Sequence, residues 1–134
     1  MLTVDEYGNF STIYKGKTLD MSYLDSGTSL LSFNDSSIPQ CSGGGLSGYY
    51  CPASPLSLTA QNVGRNGVTS TVTFSVESTT TLFKNESFIV FDDLAGTGDK
   101  GSFDWGFPFF IGRSVYVALQ GSETPGGKGP YFAY

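Results

Sequence analysis

Histidine is absent from the 134-residue sequence, and cysteine occurs only twice. Two thiolates without an imidazole rarely complete a four-ligand zinc cage. We therefore expect no metal site and no other cofactor.

Long basic runs and long apolar runs are also missing. Seven Lys and Arg against twelve Asp and Glu give a net charge of −5, with no basic stripe of the kind that nucleic acid requires. No stretch approaches eighteen consecutive apolar residues, and the opening MLTVDEYGNF lacks the basic and apolar regions of a signal peptide. We expect neither nucleic acid nor a membrane as a partner, and a chain that is soluble as given.

Aromatic residues are abundant, at 15% of the chain, and they accompany many Thr, Ser and Val residues. These residue types suit a pleated, half-buried surface, so the fold class is predicted to be all-β. The length fits one domain, residues 1–134. Because Leu2, Thr3 and Val4 read as the middle of a strand, we expect this domain to be one lobe of a longer protein.

Alternating polarity and turn residues predict the individual strands. In STVTFSVES, Val72, Phe74 and Val76 fall on one face. Further strands are predicted in LTVDEYG, NFSTIYKG, KTLDMSYLD, SLLSF and SFIVFDD. A short helix after Pro108 should lead into a strand from Val115 to Leu119, and the tail should form a hairpin.

The two cysteines, Cys41 and Cys51, flank a glycine-rich loop. They could be buried reduced thiols, but a disulfide is favoured, and closing a loop of this length stabilises by roughly 2.5–3 kcal/mol. A disulfide predicts an oxidising compartment: the periplasm, the cell surface or the outside.

One acid stands out because Ser-Gly-Thr-Ser follows it directly after an apolar run, in SYLDSGTSLLSF. Gly27 permits a sharp turn after Asp25. The hydroxyls of Ser26, Thr28 and Ser29 lie within reach of the carboxylate or of backbone groups in that turn. An ordinary Asx turn is the alternative; the surrounding residues favour a loop that keeps Asp25 ionised and oriented.

This stretch resembles the Asp-Thr/Ser-Gly-Thr/Ser loop of the pepsin-like aspartic peptidases, in the form found in their C-terminal lobe. The resemblance implies one closed, six-stranded, barrel-like lobe with one or two short helices. It makes Asp25 the catalytic acid, with Ser26, Gly27, Thr28 and Ser29 supporting its loop. It also implies that the Thr28 hydroxyl bonds across to the matching loop of the opposite lobe.

In the same family a second strand threads behind the catalytic loop and carries a hydrophobic pair before a glycine. FDWGFPFFIGRSVYVAL has the corresponding order, with Trp105 and Gly106 as the matching residues. Asp104 stands where the first hydrophobic residue is usual. The family's disulfide is matched loosely, because Cys41 and Cys51 lie nearer the catalytic loop.

A wider likeness covers nearly the whole chain. The segments YLDSGTS, IPQC, YYCPASPLSLTA, NGVTSTVTFSV, FDWGFPFFIGRSVYVAL and GGKGPYFAY, in this order, are similar to a family of secreted bacterial proteins of unknown function. Members resemble two-lobed pepsin-like proteins. The likeness implies secretion or a periplasmic location in the bacterial cell envelope, and an N-terminal lobe as partner.

Aspartic peptidases need two carboxylates that share one proton, because like charges that close cannot both ionise. A single lobe supplies one, so we expect this chain alone not to cleave peptides. An N-terminal lobe, or a homodimer that brings two copies of Asp25 together, could complete the pair for a polypeptide substrate. The alternatives from other classes are a non-catalytic pepsin-like binding module and a structural envelope domain.

Two other groups of residues invite a functional interpretation. Asp92, Asp93 and Asp99 could bind calcium, but their spacing fits no calcium loop and solvated acids are favoured. The aromatic residues Trp105, Phe107, Phe109 and Phe110 could bind a ligand, but core packing behind the Asp25 loop is favoured.

Overall fold

A computed structural model describes the whole chain, residues 1–134. The strands are β1 (Leu2–Thr3), β2 (Phe10–Tyr14), β3 (Lys17–Leu24), β4 (Leu31–Ser32), β5 (Leu56–Val63), β6 (Thr69–Val76), β7 (Ala95–Gly96), β8 (Asp104–Trp105), β9 (Tyr116–Ala118), β10 (Glu123–Thr124), β11 (Gly127–Lys128) and β12 (Tyr131–Ala133). The helical elements are α1 (Thr79–Leu82) and a 3₁₀ helix (Phe107–Phe110). The all-β prediction, with one or two short helices, is confirmed.

Seven strands form the main sheet, in the order β6-β5-β2-β3-β8-β4-β7, and the sheet is nearly closed and barrel-like. The antiparallel hairpin β2–β3 turns at Lys15 and Gly16, both with positive φ. The longest pairing joins β5 to β6 over eight residue pairs, from Leu56 opposite Val76 to Val63 opposite Thr69. These two long hairpins form one side of the sheet, and the shorter strands β8, β4 and β7 complete it.

The strand β8 lies between β3 and β4 and organises the site. It runs parallel to β3, with Tyr23 opposite Asp104 and Leu24 opposite Trp105. It runs antiparallel to β4, where Ser32 lies opposite Asp104. The loop that joins β3 to β4 must therefore pass over the end of β8.

A second sheet contains three antiparallel strands in the order β1-β12-β9. The strand β12 is central and pairs on one side with β1 and on the other with β9. The strand β9 is at the edge, with Tyr116 and Val117 exposed and Ala118 buried. The hairpin β10–β11 stands apart as a two-stranded sheet.

Aromatic side chains dominate the core. The Phe33 and Phe103 rings stack with centroids 4.6 Å apart, and Phe103 stacks on Trp105 at 4.1 Å. Phe74 meets both Phe103 and Trp105 edge-on, at 5.5 and 5.4 Å. Stacked and edge-on pairs of this kind add about 0.5–1.5 kcal/mol each beyond the burial of their area. The alternation predicted for β6 is confirmed, since Val72, Phe74 and Val76 are buried between exposed neighbours.

Several strand predictions need correction. No strand forms in SFIVFDD, where Phe88, Ile89 and Val90 are 62%, 87% and 54% exposed. An apolar run indicates a tendency to be buried, but a strand also needs a partner for its backbone groups, and no strand pairs with this segment. In LTVDEYG only Leu2–Thr3 is a strand. The eight-residue β5 was not predicted as a strand.

Cys41 and Cys51 form the predicted disulfide, with their Cα atoms 4.8 Å apart. The predicted helix at Pro108 is the 3₁₀ helix, and the strand after it is shorter than expected, at Tyr116–Ala118. The helices are all too short for one to span a bilayer.

Candidate functional site

The Asp25 loop, defined as residues 25–30, begins where β3 ends. The Asp25 backbone N–H donates to the carbonyl oxygen of Trp105 at 3.1 Å, which extends the β3–β8 pairing to the first residue of the loop. The Phe107 N–H donates to the carbonyl oxygen of Thr28 at 2.6 Å. The strand β8 and the residues after it therefore hold the loop at its first residue and at Thr28.

Two donors of the loop itself fix the Asp25 carboxylate. The Gly27 N–H donates to Oδ1 at 2.8 Å, and the Thr28 hydroxyl donates to Oδ2 at 2.8 Å. A Cβ on residue 27 would lie 3.1 Å from Oδ1, so glycine allows this approach without displacement. Hydrogen bonds to an ionised acceptor are the stronger kind, so the loop orients the carboxylate as the sequence predicts.

Among the hydroxyls of the loop, only that of Thr28 forms a hydrogen bond within the chain, and it donates to Asp25 of the same loop. Ser26 and Ser29 are exposed and form no side-chain hydrogen bond within the chain. The bond from Thr28 to an opposite lobe stays a prediction.

Gly106 allows the loop to pass close to the end of β8. A Cβ at this position would overlap the carbonyl oxygen of Leu30 and would lie 2.7 Å from that of Thr28. Both neighbours are backbone atoms and cannot rotate away. Steric constraints in this fold thus explain the sequence Trp105-Gly106: the tryptophan fills the core, and the glycine leaves room for the loop.

Trp105 is fully buried behind the loop, and its indole N–H has two acceptors. It donates to Asn62 Oδ1 at 3.0 Å and to Thr12 Oγ1 at 3.2 Å, while the Thr12 hydroxyl donates to Asn62 Oδ1 at 2.7 Å. The core-packing interpretation holds for Trp105 and for Phe109, which is 2% exposed. Phe107 is 38% exposed and lies at the surface beside the loop.

A depression of about 240 Å³ lies beside the Asp25 loop. Its lining combines polar groups of the loop with exposed apolar side chains: Ser26, Gly27, Ser29, Ile89, Val90 and Phe107. Half-buried Asp25 does not line it. The segment wrongly predicted as a strand therefore contributes an apolar wall next to the loop.

Asp104 is the residue of this region whose importance the sequence did not reveal. It is only 7% exposed, and no group in the chain donates a hydrogen bond to its buried Oδ1. Burial and the negative charge of Asp25 raise the pKa of Asp104 to about 6, while the side chains of Thr28 and Tyr23 act in the opposite direction. The available signal was an acid directly before Trp-Gly, within an otherwise apolar stretch.

The most strongly bonded carboxylate of the chain is Asp35, which lies away from the loop. Burial acts to raise its pKa, but hydrogen bonds from Lys15, Ser37 and Tyr14 outweigh burial and hold it well below its usual range. The Lys15 ammonium and the Tyr14 hydroxyl contact the same oxygen, Oδ2, at 2.7 and 2.6 Å. These bonds tie β2 to the segment after β4, which is a structural role.

The other predicted residues are dispersed. Cys41 and Cys51 close the glycine-rich loop away from Asp25, and Tyr50, next to the disulfide, is fully buried with its hydroxyl donating to the Phe33 carbonyl oxygen at 2.6 Å. No three His, Cys, Asp or Glu side chains come together as a metal-binding group.

The fold and the site define a nearly all-β domain whose short threaded strand supports a tight, carboxylate-bearing loop. The family whose model matches residues 1–134 is described as "Protein of unknown function (DUF3443)", and the chain belongs to this family. No curated protein and no solved structure matches the chain significantly.

Proposed function

We propose that the chain is the C-terminal lobe of a secreted aspartic endopeptidase and contributes one catalytic carboxylate, Asp25, to the hydrolysis of extended polypeptides. The observation that carries this proposal is the geometry of the Asp25 loop. A carboxylate at the end of β3 accepts bonds from Gly27 N–H and Thr28 Oγ1, both at 2.8 Å, and is only half-buried. An oriented, partly exposed carboxylate is the group that activates a water molecule as a general base.

The second carboxylate has to come from another lobe or from a second copy of the chain. Asp104 does not replace it, because it is buried on β8 behind the loop and cannot face a substrate together with Asp25. In the mechanism we propose, one acid takes a proton from water while its partner donates a hydrogen bond to the substrate carbonyl. The isolated lobe is therefore inactive.

The edge strand β9 supports a partner lobe. Tyr116 and Val117, together with Leu119 directly after the strand, are 65%, 58% and 70% exposed. The backbone of β9 is paired only on the β12 side. Exposed apolar groups along an unpaired strand edge favour covering by another protein surface. We assign this surface to the N-terminal lobe of the parent protein.

The test uses the full-length parent protein and a denatured protein substrate at acidic pH. We expect cleavage that pepstatin blocks and that Asp25→Asn abolishes, because an amide cannot serve as the base. Asp99→Asn is the matched control: it changes an exposed acid in a loop, and it should leave cleavage unchanged.

Each result of this experiment has a defined meaning. Cleavage that persists in Asp25→Asn contradicts the role of Asp25. An intact, folded parent that shows no cleavage at any acidic pH contradicts the peptidase assignment. That result would favour the alternative, a non-catalytic binding module of the cell envelope, in which the apolar wall of Ile89 and Val90 beside the loop would contact the ligand.

A further inference from the structure

Asp104 occupies a position where a charged side chain is costly. Its residue lies on β8 between β3 and β4, with Tyr23 opposite it on one side and Ser32 on the other. It is 7% exposed, and its Oδ1 has no hydrogen-bond donor within the chain. Burial of a carboxylate that leaves one oxygen without a donor favours its neutral, protonated form.

Two hydroxyls lie within reach of the Asp104 carboxyl group, those of Thr28 and Tyr23. The Thr28 proton is already donated to Asp25 Oδ2 at 2.8 Å, so the lone pairs of the Thr28 oxygen are free to accept. A protonated Asp104 can therefore donate to Thr28 while Thr28 donates to Asp25. An ionised Asp104 would instead compete with Asp25 for the one Thr28 proton.

We propose that Asp104 is a positioning residue: as a neutral carboxylic acid it hydrogen-bonds the Thr28 hydroxyl and thereby keeps that hydroxyl's proton on Asp25, and its ionisation releases the Asp25 loop. No proton leaves its donor while the arrangement is intact, since Asp104, Thr28 and Asp25 form a chain of hydrogen bonds. On ionisation, the Asp104 proton passes to solvent and Thr28 turns its own proton towards Asp104. The role in catalysis rests on the proposed function, whereas the coupling itself is a property of this chain alone.

The groups that face Asp104 shift its pKa in opposite directions. Burial and the charge of Asp25 raise its pKa to about 6, and Thr28 and Tyr23 lower it. Burial and the charges of Asp104, Asp25 and Asp99 raise the pKa of Tyr23, which therefore stays neutral in the acidic range. The strand β4 adds no ionisable group opposite Asp104, because its residue there is Ser32.

The test is a pH titration of the 134-residue chain by NMR, with ¹³C-labelled aspartate carboxyl groups and ¹⁵N-labelled amides. We expect one carboxyl to titrate with a midpoint near pH 6 and to vanish from the spectrum in Asp104→Asn. The Gly27 and Thr28 amide signals should shift with the same midpoint. This step should be missing in Asp104→Asn, whose amide still donates to Thr28.

Three further variants separate the proposed chain of hydrogen bonds from a general effect of charge. Asp25→Asn should lower the Asp104 midpoint, because the charge of Asp25 raises it, and Thr28→Val should remove the response of the Gly27 amide at that midpoint. Asp99→Asn should leave the midpoint unchanged. The proposal is wrong if no aspartate titrates above pH 5, or if the Gly27 and Thr28 amides do not follow the Asp104 midpoint.

The failure of this proposal is distinguishable from that of the proposed function, because the titration needs neither the partner lobe nor cleavage. In a parent protein that does cleave peptides, the loss of activity with a midpoint near pH 6 should disappear in Asp104→Asn. Asp104→Leu removes the hydrogen-bond donor and should weaken cleavage at every pH. Asp104→Asn keeps a donor and should retain activity. A role of Asp104 in core packing alone would not predict this difference between the two variants.

Discussion

Replacing Asp104 by Asn should change how the stability of the domain depends on pH. The variant keeps the size of the side chain and removes its ionisation. In the wild-type protein the folded state holds the Asp104 proton up to about pH 6, whereas the unfolded chain releases it near 3.8, the ordinary pKa of an aspartate. Between these two values the folded state binds more protons than the unfolded state, so the wild-type protein loses stability as the pH rises.

The magnitude follows from the two pKa values. A difference of about two units corresponds to about 3 kcal/mol, which is fully present below pH 4 and is lost as the pH passes through 6. The Asp104→Asn variant has no such ionisation, so its free energy of unfolding should not fall by this amount as the pH rises. The difference between the two proteins should therefore move by about 3 kcal/mol in favour of the variant between pH 4 and pH 7.

Urea unfolding at a series of pH values measures this difference directly. Trp105, the one tryptophan of the chain, is fully buried and provides the fluorescence signal. Asp99→Asn is the control, since it removes an exposed acid and should give a curve parallel to the wild type. A constant difference between wild type and Asp104→Asn from pH 4 to pH 7 would contradict a raised pKa of Asp104 in the folded protein.

Three further substitutions test the packing that surrounds the site. Gly106→Ala should lower the free energy of unfolding by about 3 kcal/mol or more, because its Cβ meets backbone carbonyl oxygens; Gly101→Ala, in open space, is its control in the same urea titration. Asp35→Asn should cost about 2 kcal/mol at pH 7 and progressively less as the pH falls from 4 towards the lowered pKa of Asp35, as thermal unfolding across this range would show. Replacing Cys41 and Cys51 together by serine should cost about 2.5–3 kcal/mol, and a change under 1 kcal/mol would contradict the loop-closure argument.

Much of the fold could be predicted because its signals are local. The alternation in β6 follows from the two-residue repeat of a strand, and every alternate residue from Val72 to Val76 is buried. The disulfide followed from two cysteines at the ends of a glycine-rich loop. The bonds from Gly27 and Thr28 to Asp25 are also local, as they span two and three residues.

The features that escaped prediction depend on distant pairings. Phe88, Ile89 and Val90 have the composition of a strand, but whether a strand forms depends on an available edge elsewhere in the fold. In the sequence, Asp104 stands out only as a departure from a hydrophobic pattern. Asp104 comes close to Thr28 because β8 inserts between β3 and β4. Since β8 lies about eighty residues after β3 in the sequence, no local pattern reveals that contact.

Asp35 and Asp104 give the domain opposite responses to pH, and together they define a window. The hydrogen bonds that lower the pKa of Asp35 contribute stability that is lost as the pH falls below about 4. The raised pKa of Asp104 gives a contribution that is lost as the pH rises towards 6 and above. Both contributions are largely present only near pH 4. A pair of carboxylates that share one proton also works in mildly acidic solution, so the buried acid behind the loop would match the stability of the domain, and the order of its Asp25 loop, to the conditions that the proposed chemistry requires.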